Sequence, residues 1–214
     1  MKKIVLLLIT GLLFAVMTAA VPLKIENMGI LYDKGISPTA ELPVTLEQAK
    51  AQLKLDVSDD IDNELILEYI AAATDEAEQY IERDIRKHLY MLELEKWHND
   101  LVLPKPDVLA VNKIIYIDKN GNEQQLDADL YELVPVDKYY SKLVYKDYEN
   151  LPALKDNSIR AVTIFFETGM NPVPKSVGQA IKLIFTHSYE NRSDTAERFT
   201  KASENKLRKY RIYS

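Results

Sequence analysis

The period of apolar and polar positions changes twice along the chain. Thr45 precedes Leu46-Glu47-Gln48-Ala49-Lys50, with Gln48 three residues on. This is a capping-box arrangement, in which hydroxyl and amide each satisfy a free backbone N–H, and it predicts a short helix of roughly 45–54. After the run from Asp56 to Asp62, the residues Leu65, Tyr69, Ala73, Ala77 and Tyr80 recur every three or four positions, with Ile66, Ile70 and Ile81 beside them. That spacing predicts an amphipathic helix of roughly 60–83. From 87 to 169 the period drops to two. Tyr90, Leu92 and Leu94 fall on one strand face, Glu93 and Glu95 on the other. Leu101 to Leu103 is punctuated by Pro104 and Pro106, and Val108 to Ile117 reads as a strand. Asn120-Gly121 is the strongest turn signal, because both residues tolerate positive φ. Tyr131–Val136, Lys142–Tyr145 and Ile159–Glu167 are further strands, the last closed by Gly169. Beyond Asn171-Pro172-Val173-Pro174, the residues Val177, Ile181, Ile184 and Ser188 mark one face of a helix ending near Asn191. A proline in its first turn costs little, because that N–H has no helical partner.

Residues 21–43 hold Pro22, Gly29, Gly35, Pro38 and Pro43 with little periodicity, and read as an extended arm. The expected fold class is therefore α+β: a small α-helical bundle with an inserted β-hairpin-rich region, an extended N-terminal arm and a C-terminal tail. The expected organisation is a signal-like apolar segment over 1–20, the arm over 21–43, a core over 44–192 and a basic tail over 193–214.

Charge sharpens this division. The chain has 214 residues and a net charge of −6. Residues 198–214 nevertheless hold Arg198, Lys201, Lys206, Arg208, Lys209 and Arg211 against the single acid Glu204. The body is strongly acidic, and an acidic surface does not coat phosphate backbones. The basic end also carries Leu207, Tyr210, Ile212 and Tyr213. A disordered spacer rarely gathers such residues, so the segment reads as a peptide that docks on a partner.

Candidate chemistry is sparse. The sequence has no nucleophile elbow, no phosphate-binding glycine loop and no His-Glu-x-x-His helix. With no cysteine, thiolate zinc sites and a cysteine nucleophile are excluded. His88, His98 and His187 fall in different elements, and Glu93 and Glu95 read as solvated charge on a strand. The aspartates of 56–62 lack the alternation, central glycine and terminal glutamate of a calcium loop; acids before a helix favour its dipole without any metal. The expectation is a protein that is not an enzyme and needs no cofactor or metal.

The first twenty residues pull another way. Met1-Lys2-Lys3, an apolar run from Ile4 to Val16 broken by Thr10 and Gly11, and then Thr18-Ala19-Ala20 form a secretory-signal pattern. Alone, this would make the protein an exported binding domain. The competing expectation is a start at Met17 or Met28.

The order of several short motifs resembles a known family. Pro43-Val44-Thr45-Leu46-Glu47-Gln48-Ala49-Lys50-Ala51-Gln52-Leu53, then Asp59-Asp60 and the helix ending Tyr80-Ile81-Glu82-Arg83, look like the opening of the head–tail connector (adaptor, or head-completion) proteins of long-tailed phages. Leu103-Pro104-Lys105-Pro106 with the hairpin Asp118 to Gly121 is similar to the family's middle. Thr168-Gly169 to Pro174, Ala180-Ile181, Tyr189-Glu190-Asn191-Arg192 and Lys206-Leu207-Arg208-Lys209-Tyr210-Arg211 are similar to its end. The resemblance spans 43–214 and implies a structural virion protein: a ring of about twelve copies between the portal and the stopper or tail-completion protein. Such a ring extends the channel through which genome DNA passes without sequence-specific binding. It also implies that the C-terminal peptide meets the portal protein, making Leu207, Arg208, Tyr210, Arg211, Ile212 and Tyr213 the docking candidates. The implied location is the virion, with assembly in the host cytoplasm.

Overall fold

The computed structural model describes residues 29–58, 60–191 and 199–212. The apolar run over 1–20, with its signal-like reading, and Tyr213 lie outside these residues. Among the described residues, eight strands and four helices form two sheets and a helical bundle, as the α+β reading expects. The strands are β1 (Ile30–Ile36), β2 (His88–Leu94), β3 (Leu101–Val102), β4 (Val108–Ile117), β5 (Glu123–Gln125), β6 (Tyr131–Pro135), β7 (Ser141–Tyr145) and β8 (Val162–Thr168). The helices are α1 (Leu46–Leu53), α2 (Asn63–Ile81), α3 (Lys175–Glu190) and α4 (Lys201–Leu207). The larger sheet has the order β1-β2-β8-β4-β5 and the smaller β3-β7-β6; every pairing is antiparallel.

Local chemistry explains the element boundaries. Thr45 caps α1, its hydroxyl accepting from the Gln48 N–H at 3.3 Å. In the β4–β5 turn the Asp118 carboxylate accepts from the N–H groups of Asn120 and Asn122 at 2.8 and 2.9 Å. Gly121 then turns the chain at φ +87°, where a side chain would be strained. Gly169 closes β8 at φ +143°, and a Cβ there would lie 2.8 Å from the Arg86 carbonyl oxygen.

Two separate apolar cores result. The helical core joins Ile66, Ile70, Ala73, Ala77 and Ile81 of α2 to Val177, Ile181, Ile184 and Phe185 of α3. The α2 stripe is thus centred on the isoleucines, while Leu65, Tyr69 and Tyr80 flank it half-buried. The sheet core joins Tyr90, Leu92, Ile114, Ile164 and Phe166 to Trp97, Leu143 and Tyr145 of the smaller sheet and its loops. Trp97 donates its indole N–H to the Pro152 carbonyl at 2.9 Å, which satisfies its one polar atom.

Three features depart from the sequence reading. Part of the extended arm, Ile30–Ile36, is an edge strand paired with β2, a pairing that the weak periodicity of the arm does not show. Glu93 is buried instead of solvated, because Arg160 reaches it at 3.0 Å. Among the 56–62 acids, the buried Lys50 ammonium donates to the Val57 carbonyl at 2.8 Å and lies 3.5 Å from Asp60. A side-chain cation therefore closes that loop.

Candidate docking site

The basic C-terminal segment begins with a cap. The Thr200 hydroxyl accepts from the Ser203 N–H at 3.2 Å and starts α4. One 3-10 turn, Arg208–Tyr210, follows. Every third or fourth residue then turns inward. Leu207 is fully buried in the helical core, with Phe199 and Tyr210 packed against it. The Phe199 ring meets Tyr80 at 5.2 Å between centroids.

Polar contacts fix the end of the segment. The Tyr210 hydroxyl lies 2.7 Å from that of Ser176 at the start of α3. Its carbonyl accepts from the Arg83 guanidinium at 3.1 Å, while the other Arg83 nitrogens donate to Asp107 at 2.6 and 2.8 Å. Arg211 lies 3.5 Å from Glu82 and 5.4 Å from the centroid of the Tyr80 ring. The Ile212 N–H donates to the Ile81 carbonyl at 3.1 Å, satisfying one of the free carbonyls that end α2. Burial pushes the Tyr210 hydroxyl up. The Ser176 bond and the charges of Lys209 and Arg83 outweigh that and bring it below its ordinary value.

The six docking candidates therefore fall into three groups. Leu207, Tyr210, Arg211 and Ile212 are held against α2 and α3 of their own chain. Arg208 is exposed. Tyr213 lies outside the described residues. Over 199–212 the apolar side chains Phe199, Leu207 and Tyr210 pack on the helical core of the same chain.

Next to this segment lies a cluster that sequence reasoning missed. Glu78, on the last turn of α2, accepts from the backbone N–H groups of Ile85 and Arg86 at 2.9 and 2.8 Å. The Arg86 guanidinium donates to it at 2.7 Å and also pairs with Asp75. His88 Nε2 approaches Glu78 at 3.4 Å. Burial alone would raise the Glu78 pKa; the bonds from His88 and Arg86, with the Arg86 charge, lower it to about 2. The bond to Glu78 raises His88, against its burial, with Asp84 and Asp33 adding to the rise. Asp84 accepts from Thr168 at 2.6 Å and from Tyr90 at 3.3 Å. Glu78, Asp84, His88 and Tyr90 border a cleft of about 450 Å³ with Asp33, Lys105 and Tyr140. Its carboxylates Glu78 and Asp84 are consumed by structural bonds, so the arrangement clamps the helical bundle to the sheets. Among the described residues no His, Asp or Glu group is arranged to hold a metal ion, and no helix is long and apolar enough to cross a membrane. Nothing in the sequence marked this cluster, since its members sit on two elements joined by a tight connection.

Comparison with known proteins gives a fold likeness. No protein-family model matches the chain, and no curated protein does. A chain of the neck of an empty gene transfer agent particle with C6 symmetry superposes with a TM-score of 0.65 at 20% identity, covering 86% of this chain and 96% of that one. A chain of the virion of a native gene transfer agent particle gives 0.63 at 20% identity, and one of the native particle's neck with C12 symmetry gives 0.58 at 21%, both with the same coverage. At these identities the likeness establishes the shared fold.

Proposed function

We propose that this chain is a structural subunit of a phage-type particle neck. It forms a ring between the portal and the stopper or tail-completion protein, extends the DNA channel and joins head to tail. The observation that carries the reading is the fold likeness to neck chains over 86% of the length. It agrees with the connector resemblance of the motifs, a separate line of argument. The acidic body suits a channel wall, because like charge keeps DNA phosphates from sticking.

The C-terminal segment has a defined part in this reading. Arg208 and Lys209 face solvent beside Tyr210 and present cations to an acidic portal surface. Leu207, Tyr210 and Ile212 hold the segment in place until it meets that surface. The test is co-purification of the full chain with the candidate portal protein. The reading predicts a complex that the double variant Arg208→Glu, Lys209→Glu loses while its own fold, followed by circular dichroism, is unchanged. A chain that ignores every portal and instead binds an extracellular ligand would favour the exported binding domain.

A further inference from the structure

The helical bundle carries opposite charge on its two outer sides. Ile66, Ile70, Ala73, Ala77 and Ile81 of α2 pack on Val177, Ala180, Ile181, Ile184 and Phe185 of α3. At 3.6 residues per turn, the stripe of each helix opposite these residues looks away from the core, one to each side of the bundle. On α2 the outer stripe is Glu64, Glu68, Ala72, Asp75 and Gln79, all exposed. No lysine or arginine occurs from Asn63 to Ile81. Asp75 pairs with Arg86, while Glu64 and Glu68 meet no cation among the described residues. On α3 the outer stripe is Lys175, Gln179, Lys182 and Thr186, and the helix holds no acid before its last residue, Glu190.

A groove of about 370 Å³ runs beside the α3 stripe. Lys175, Gly178, Gln179 and Lys182 line it from α3, Pro43 and Gln48 from the start of α1, and no acid lines it among the described residues. Lys206 of α4 adds a third cation, donating to Gln179 at 3.0 Å. Glu204, two residues back, falls on the opposite flank of α4. Gly178 points the same way. Glycine weakens a helix, and the chain's own packing does not require it here. A Cβ at Gly178 would meet only the Pro43 carbonyl oxygen, at 3.9 Å, and its helical backbone would accept a side chain without strain. The missing side chain leaves the groove open to close approach from outside.

We infer that this groove receives the outer stripe of α2 from a second copy of the chain. The inference rests on the ring reading above and names the surface through which neighbours meet. Charge complementarity decides the occupant: the groove is cationic, and the bundle's far side offers a helix that carries acids and no cation. The register agrees. With the two helices antiparallel and Ala72 set on Gly178, neither has bulk at the crossing. Glu68, four residues from Ala72, then lies level with Lys182, four residues from Gly178. Asp75, three residues the other way, lies level with Lys175. These pairs set the register and exclude a shifted one. The two stripes face opposite ways on one chain, so the contact is head-to-tail. Such contacts propagate around a ring and do not close as a two-fold pair. Arg208 and Lys209 stay free for the portal.

The chain has no cysteine, so a pair can be introduced for the test. Ala72→Cys and Gln179→Cys are combined in the full chain, and its assembled form is treated with a short bis-maleimide and mapped by peptide mass spectrometry. The expected product is a ladder of covalent multimers in which position 72 of one copy is linked to position 179 of the next. Neither single cysteine gives a linked species. Lys182→Glu and Glu68→Lys each weaken assembly about tenfold or more, and the double reversal restores it. Gly178→Leu weakens assembly as much while circular dichroism shows the subunit fold kept. An intact ring in which position 72 links to the portal, to another surface of the chain or to nothing overturns the inference and leaves the ring reading standing. So do covalent dimers from one single cysteine, which make the contact two-fold, and reversals without effect. A chain that never assembles, alone or with the portal, removes the ring reading and this inference with it.

Discussion

Replacing Glu78 by Gln tests the clamp between bundle and sheets. The amide keeps an oxygen to accept from the Ile85 and Arg86 N–H groups, but its NH2 replaces the oxygen that accepts from Arg86 and faces His88, so the charge and that bond are lost together. Glu78 titrates at about 2 in the folded chain, against an ordinary value of 4.5. At about 1.36 kcal/mol per pKa unit, the charged form contributes on the order of 3 kcal/mol to stability. Breaking a buried ion pair typically costs about 3–5 kcal/mol, which agrees. The sign follows from the lowered pKa. The contribution is complete above about pH 4.5 and is lost as the pH falls toward 2. Urea denaturation of wild type and Glu78→Gln from pH 7 to pH 2 measures both quantities. The variant should lose about 3 kcal/mol at pH 7 and show a flatter acid limb. A variant within about 1 kcal/mol of wild type at pH 7, or one with an unchanged acid limb, refutes the clamp.

Four further outcomes are expected. Leu207→Ala should cost about 2–5 kcal/mol in thermal or urea denaturation, as for a core leucine and unlike a free-tail residue. Gly169→Ala should destabilise measurably, because its Cβ meets the Arg86 carbonyl oxygen and its φ is positive. Lys54→Gly should stabilise by a few tenths to about 1 kcal/mol, since Lys54 ends α1 at φ +58°, where glycine has no Cβ penalty. His88 has a raised pKa, so its contribution is complete below its unfolded value near 6.5 and fades as the pH rises through the folded one. His88→Gln should flatten stability across that window in the same titration.

The strands with one buried face were legible because alternation and burial coincide. In Val162–Thr168 every second residue is buried; Val108–Ile117, in which Ile114 alone is buried, shows instead through its run of apolar and β-branched residues, and the helix starts follow from Thr45 and from Pro174 ahead of Lys175. The edge strand β1 was not legible. Its Asp33, Lys34 and Gly35 are the charged and flexible residues by which edges avoid further pairing, and they break the alternation. The centre of the α2 stripe was displaced by one position, because Leu65, Tyr69 and Tyr80 repeat as regularly as the isoleucines that fill the core. The clamp was illegible for another reason. A buried Glu78 looks like a surface glutamate until Arg86 and His88 are folded beside it. The inward-facing Leu207 and Tyr210 were noticed by spacing, yet spacing alone does not say which chain supplies the groove.

In the proposed function, copies of this chain close into a ring. Native mass spectrometry of the full-length chain, alone and mixed with the portal protein, tests it most directly. The expected result is one closed oligomer of about twelve copies, free or seated on the portal, in line with the C12 neck that shares the fold. A chain that stays monomeric at micromolar concentration in both samples contradicts it.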